Sequence, residues 1–127
     1  MFDSLADMKV IELGEGEDLC YTTKLLADLG ADVIKVEPPG VGDFLRSEGS
    51  FPDDDQDATV GALFNYLNAS KRSVELDLAN QGDVEKLLKI VSGANLIVEN
   101  LGPGALESLG LDMKRLENAN PSIAVVR

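Results

Sequence analysis

At 127 residues, 44% of them hydrophobic, the chain has material for one domain around a single core, without disulfide or metal staples. Its 23 acidic residues against 11 basic give a net charge of -12, which excludes nucleic-acid and anionic-membrane binders, because both require clustered Lys and Arg. One cysteine and no histidine exclude a disulfide framework and the common zinc ligand sets. No leader pattern or bilayer-length apolar run is read, so a cytoplasmic protein is expected.

In chain order, Lys9 to Leu13 reads as a first buried strand. Tyr21, Thr22, Leu25, Leu26 and Leu29 then recur at helical spacing until Gly30, a suitable left-handed residue after a helix. Val33 to Val36 is a second strand, and Val60, Leu63, Phe64 and Leu67 mark one helix face before Asn68. Ser73 to Asp77 alternates as a third strand. Asn80 can cap a helix with the stripe Val84, Leu87, Leu88 and Val91, leading to a fourth strand at Leu96 to Val98. Two short helices are expected next, one opening at Pro103 and one capped by Asp112, before a fifth strand at Ile123 to Val126. This alternation predicts an α/β domain over residues 1–127, with a Rossmann-like, open, mainly parallel sheet of five strands and helices on both faces.

Two segments invite a functional reading from the residues alone. Glu48 to Asp57 has loop composition, and its run Asp53, Asp54, Asp55 offers oxygen ligands for a hard cation without the spacing or closing Glu of an EF-hand, so no metal site is assigned. GEGEDLC, residues 14 to 20, sits between a strand and a helix like a phosphate cradle, with Glu37 where a dinucleotide fold carries its ribose-binding acid. The third glycine of that fingerprint is replaced by Leu19, and Glu15, Glu17 and Asp18 oppose a pyrophosphate. A helix N-terminus favours an anion by about 0.3 to 1 kcal/mol. Unit charges 4 Å apart repel by about 1 kcal/mol in water and about 4 at an effective dielectric of 20. The expected role of Glu17 or Asp18 is therefore to cap a helix starting near Leu19, and a nicotinamide-dependent oxidoreductase ranks last among the readings. Cys20, Met8 and Met113 read as ordinary core or helix residues.

The more specific signal lies in three ordered motifs. LLADLGADVIKVEPPGVGD (Leu25 to Asp43), NASKRSVELDL (Asn68 to Leu78) and ANLIVENLGPGALESLGLD (Ala94 to Asp112), followed by Asn120-Pro121, resemble the family III CoA-transferases from about Lys9 to Arg127. The resemblance implies an interlocked homodimer in complete members, in which a carboxylate accepts CoA from an acyl-CoA through anhydride and thioester intermediates. Acyl-CoA and a carboxylic acid are then the partners of the full-length protein, coenzyme A is a substrate, and no cofactor is held covalently. It also implies that the catalytic aspartate lies beyond the fifth strand. No residue here is assigned a catalytic role, and the chain is expected to be an inactive, monomeric N-terminal segment and a weak CoA binder. The alternative is a degenerate family III module with a structural or dimerisation role.

Carried over position by position, the family's CoA contacts fall on Gly16, Glu17 and Asp18 of the first loop and on Asn100, Leu101 and Gly102. Leu101 replaces an aromatic residue of the family motif, and Ser108 stands where the family carries an arginine. Lys71 is the expected phosphate contact, although Lys71 and Arg72 read equally well as a solvated turn. The glycines around Pro103 suit a turn that opens a helix, and the same N-H groups suit an anion.

Overall fold

The computed structural model of the chain describes residues 3–49, 51 and 60–127, and there the βα alternation runs through five parallel strands. They are β1 (Lys9–Leu13), β2 (Asp32–Glu37), β3 (Arg72–Glu75), β4 (Leu96–Glu99) and β5 (Ala124–Val126). Between them run α1 (Glu17–Asp28), α2 (Ala62–Asn68), α3 (Gln81–Val91), α4 (Ala105–Ser108) and α5 (Met113–Ala119). A 3-10 turn at Phe44–Ser47 was not foreseen from the residues. The cation reading of Asp53 to Asp55 lies outside the described residues.

Every strand pairing is parallel, and the sheet order is β3-β2-β1-β4-β5. The chain steps outward from β1 to β3 and then returns to the other side of β1. That reversal leaves a crevice between the carboxyl ends of β1 and β4, the usual place for a ligand in an open α/β sheet.

Because side chains alternate across a strand, the three central strands β1, β2 and β4 each feed two cores. Ile11, Leu13, Val36 and Ile97 face Val84, Leu87 and Val91 of α3, with Leu106 of α4 and Leu116 of α5. Val10, Val33 and Val98 face Leu19 and Ala27 of α1 on the opposite side. Leu87 is fully buried, which contributes about 1.5 to 3 kcal/mol for a side chain of this size. Helices therefore cover both faces, as the alternation predicts. None of those described is long and apolar enough to cross a membrane.

Several helix ends follow the expected chemistry. The Asn80 side chain accepts hydrogen bonds from the N-H groups of Gly82 and Asp83, and Asp112 accepts one from Arg115 at 2.8 Å. Gly30 follows α1 with φ of 101°. Two starts differ. α1 begins at Glu17 behind an N-cap Gly16 with no side-chain cap, so neither Glu17 nor Asp18 caps it; both occupy its first turn, where the helix dipole favours acids. α4 begins at Ala105 behind Gly104, which leaves Pro103 in the preceding turn instead of at the first helical position.

Candidate functional site

The same alternation that buries Val10 and Val33 also turns Glu12, Lys35 and Glu37 inward toward α1. Glu12 and Lys35 are register partners across β1 and β2, and Lys35 Nζ lies 2.6 Å from Glu12 Oε1 and 2.6 Å from Asp43 Oδ2. Lys71 reaches in from the start of β3, its Nζ 2.8 Å from Glu12 Oε2, 2.9 Å from the Cys20 carbonyl and 2.9 Å from Asn68 Oδ1. The Thr23 hydroxyl also donates to Glu12. Two carboxylates and two ammonium groups thus balance in a fully hydrogen-bonded cluster, the condition under which buried charge is tolerated.

Burial pushes the Glu12 carboxyl up, but Lys35 and Lys71 together hold it below the ordinary carboxylate range. For Lys35, burial works against the charge, and Glu12 and Asp43 nevertheless hold the ammonium well above the ordinary lysine range. Lys71 shows the reverse outcome, because burial outweighs Glu12 and lowers it. Cys20 lies in the same cluster, its Sγ 3.3 Å from Lys35 Nζ, and burial followed by the Glu12 charge pushes the thiol up to about 11. A thiol held in that state is no nucleophile at neutral pH. Glu12, Cys20 and Asp43 also bring three metal-ligand atoms within 4.8 Å of one another. The Lys35 ammonium already fills the cation position between the two carboxylates, so the cluster is a structural charge core.

Beside this cluster, at the carboxyl ends of β1 to β4, lies a cavity of about 510 Å3. Gly14 and Glu15 follow β1, Glu37 to Pro39 close β2, Leu76 to Ala79 follow β3, and Asn100 and Leu101 follow β4; Leu109 completes the wall. Val36, Pro38, Pro39, Leu76, Leu78, Leu101 and Leu109 make the wall largely apolar, and its charged side chains are all carboxylates. Glu37 is committed to the protein itself. It accepts from Arg46 Nε and Nη2 at 2.7 Å, from the Asp43 N-H at 2.8 Å and from the Ser73 hydroxyl at 2.6 Å. With both oxygens so engaged, it is not free to bind a ribose.

At the crevice itself, the Asn100 carboxamide spans from β4 to the loop after β1. Its Nδ2 donates to the Glu15 carbonyl at 2.7 Å, and its Oδ1 accepts the Glu15 N-H at 3.2 Å. Gly14 permits this approach, since a Cβ there would lie 1.9 Å from Asn100 Oδ1, and its φ is 128°. Burial raises the Glu15 carboxyl above its ordinary range, with Asp43 and Glu37 adding repulsion.

Of the residues singled out from the sequence, the structure brings Asn100 and Leu101 to the cavity wall. Gly16 is buried at the N-cap of α1, while Glu17, Asp18 and Gly102 are exposed, and none of the four lines the cavity. Lys71 directs its donors into the charge core, with its side chain only 2% exposed, and Arg72 pairs with Asp32 on the exposed start of β3. Lys71 is therefore no solvated turn residue, and its donors are engaged by Glu12, the Cys20 carbonyl and Asn68. Ser108 is exposed on α4 and donates to the Ala105 carbonyl. The residues after β2 and β3 were not singled out. The strand-end rule for open parallel sheets is the signal that points to them.

A family model described as CoA-transferase family III matches residues 5–127. The chain is 40% identical over 120 residues to a succinyl-CoA:mesaconate CoA-transferase of Haloarcula hispanica, a match covering 94% of this chain and 30% of that protein. It is 35% identical over 126 residues to a formyl-CoA:oxalate CoA-transferase of Bradyrhizobium diazoefficiens, covering 98% of this chain and 28% of that one. Among solved structures, a CAIB/BAIF family protein from Brucella suis superposes with a TM-score of 0.87 at 34% identity, over 98% of this chain and 33% of its own. The chain thus spans less than a third of the length of these two curated relatives.

Proposed function

The chain belongs to CoA-transferase family III, and from that premise we propose that it forms the CoA-binding portion of an enzyme moving CoA between an acyl-CoA and a carboxylic acid. The observation that carries this reading is the cavity at the reversal of strand order, with Asn100 and Leu101 of the family-like motif on its wall. Its apolar surface suits an uncharged part of coenzyme A. Its carboxylates repel the pyrophosphate and 3'-phosphate, which must lie toward solvent.

That division makes the chain by itself a weak binder. Lys35, Lys71 and Arg46 are already paired with Glu12, Asp43 and Glu37. A dissociation constant no better than about millimolar, roughly -4 kcal/mol, follows if apolar burial must offset unscreened phosphate repulsion. No catalytic residue is assigned within the chain, and the nucleophilic carboxylate of the whole enzyme belongs outside it. Titrating CoA into isotope-labelled chain and following amide shifts tests the proposal. Shifts grouped at Gly14, Leu76 to Ala79, Leu101 and Leu109, saturating at millimolar CoA, are expected. Shifts scattered elsewhere, or saturation at micromolar CoA, would overturn it.

A further inference from the structure

We infer that Asn100 is a positioning residue, whose carboxamide clamps the Glu15 backbone and so sets the shape of the cavity mouth. This deepens the CoA-binding reading and rests on it for the identity of the ligand. The clamp is a two-point hydrogen bond between residues 85 positions apart, joining the ends of β1 and β4 across the crevice. Both Asn100 and Glu15 line the cavity. A carboxamide can satisfy a backbone N-H and C=O together, because it carries a donor and an acceptor side by side; an aspartate keeps only the acceptors.

Three features show that the loop is held by this contact. α1 has no side-chain N-cap to anchor the loop from the helix side. Gly14 leaves room for Asn100 Oδ1 where any other residue would place its Cβ. A second, longer contact runs from Asn100 Nδ2 to Asp18 Oδ1 at 3.5 Å, so the same side chain also approaches the first turn of α1. The carboxamide is therefore turned along the loop, with both polar ends engaged by protein. Its contribution to ligand binding comes from where it holds Glu15.

The test compares the unmodified chain with Asn100→Ala, using three readouts. Hydrogen exchange of the Glu15 amide should accelerate at least about tenfold, while the Ile11 and Ile97 amides stay protected and show that the sheet is intact. The Glu15 carboxyl should titrate closer to the ordinary glutamate range once the released loop gives up its burial and its approach to Asp43 and Glu37. Affinity for CoA, the ligand used as probe, should fall severalfold. If Asn100→Ala does not fold, Asn100→Asp takes its place in the exchange and affinity measurements, since it preserves shape and removes the donor to Glu15.

Unchanged exchange and titration at Glu15 in Asn100→Ala would overturn the assignment. A loss of CoA affinity with an undisturbed loop would also overturn it, by making Asn100 a direct ligand contact. A loosened loop with full CoA affinity would equally do so, by uncoupling the loop from the site. If the unmodified chain takes up no CoA, the functional reading falls by itself, and the two loop readouts decide the clamp.

Discussion

Glu37→Gln tests whether the buried carboxylate in the cavity wall stabilises the fold in the way its geometry implies. Glu37 is 2% exposed and accepts four hydrogen bonds, two of them from the Arg46 guanidinium. Burial by itself raises its pKa, yet the Arg46, Ser73 and Asp43 contacts bring it from 4.5 down to about 2. A carboxyl with a depressed folded value adds stability above its unfolded value, and that stability drains away as pH falls from about 4.5 toward 2. At about 1.4 kcal/mol per tenfold, the shift corresponds to roughly 3 kcal/mol, and the partial exposure of Arg46 reduces this to about 2. The glutamine keeps one acceptor but places an NH2 group against the Arg46, Asp43 and Ser73 donors that Glu37 accepts from. Urea unfolding followed by circular dichroism should therefore show the variant about 2 to 3 kcal/mol less stable at pH 7, with the gap narrowing near pH 2.5. A gap that stays constant across that range, or none at pH 7, refutes the reasoning.

Lys35→Met leaves Glu12 paired with Lys71 but strips Asp43 of its cation, and should cost about 3 to 5 kcal/mol in guanidinium unfolding. Lys35→Met with Asp43→Asn should recover part of that loss, because Glu12 and Lys71 remain a neutral pair and the asparagine keeps the acceptor that Asp43 Oδ1 offers to the Leu45 N-H. On the ligand side, Glu17→Gln with Asp18→Ala removes two charges from the first turn of α1, next to the clamp. CoA affinity should rise severalfold, more so at low salt, and equal affinities at 10 and 300 mM salt would show that these charges do not reach the phosphates.

The central strands β1, β2 and β4 were legible because each carries a short apolar run bounded by turn residues, as a buried parallel strand does, whereas the edge strand β3 was legible from its alternation. Asn80 and Asp112 were legible as caps because a side-chain oxygen beside a helical stripe satisfies free N-H groups locally. The start of α1 was not. Gly16 occupies the cap with a backbone φ of 101°, and the acids follow it inside the helix, a choice set by loop geometry that composition does not reveal. The Pro103 turn is similar: Gly104 takes the left-handed cap, and the helix begins two residues past the proline.

The charge core was illegible for a different reason. Lys9 to Leu13 reads as a strand with one polar interruption, and nothing in those five residues says that Glu12 is buried against Lys35. That follows only from the parallel pairing of β1 with β2, which sets the two in register, and from Lys71 arriving 59 residues later. Family resemblance marked Lys71 as a residue of consequence and assigned its charge outward, to phosphate. The structure turns it inward because Glu12, with Lys35 already shared between two acids, needs a second cation more than an open loop does. The same logic separates Asn100 from Lys71: one lines the cavity and the other is buried in the charge core, although both come from segments with equally strong motif signals. Tertiary pairing, absent from any local pattern, decides which polar side chains remain for a ligand once the fold has neutralised its own buried charges.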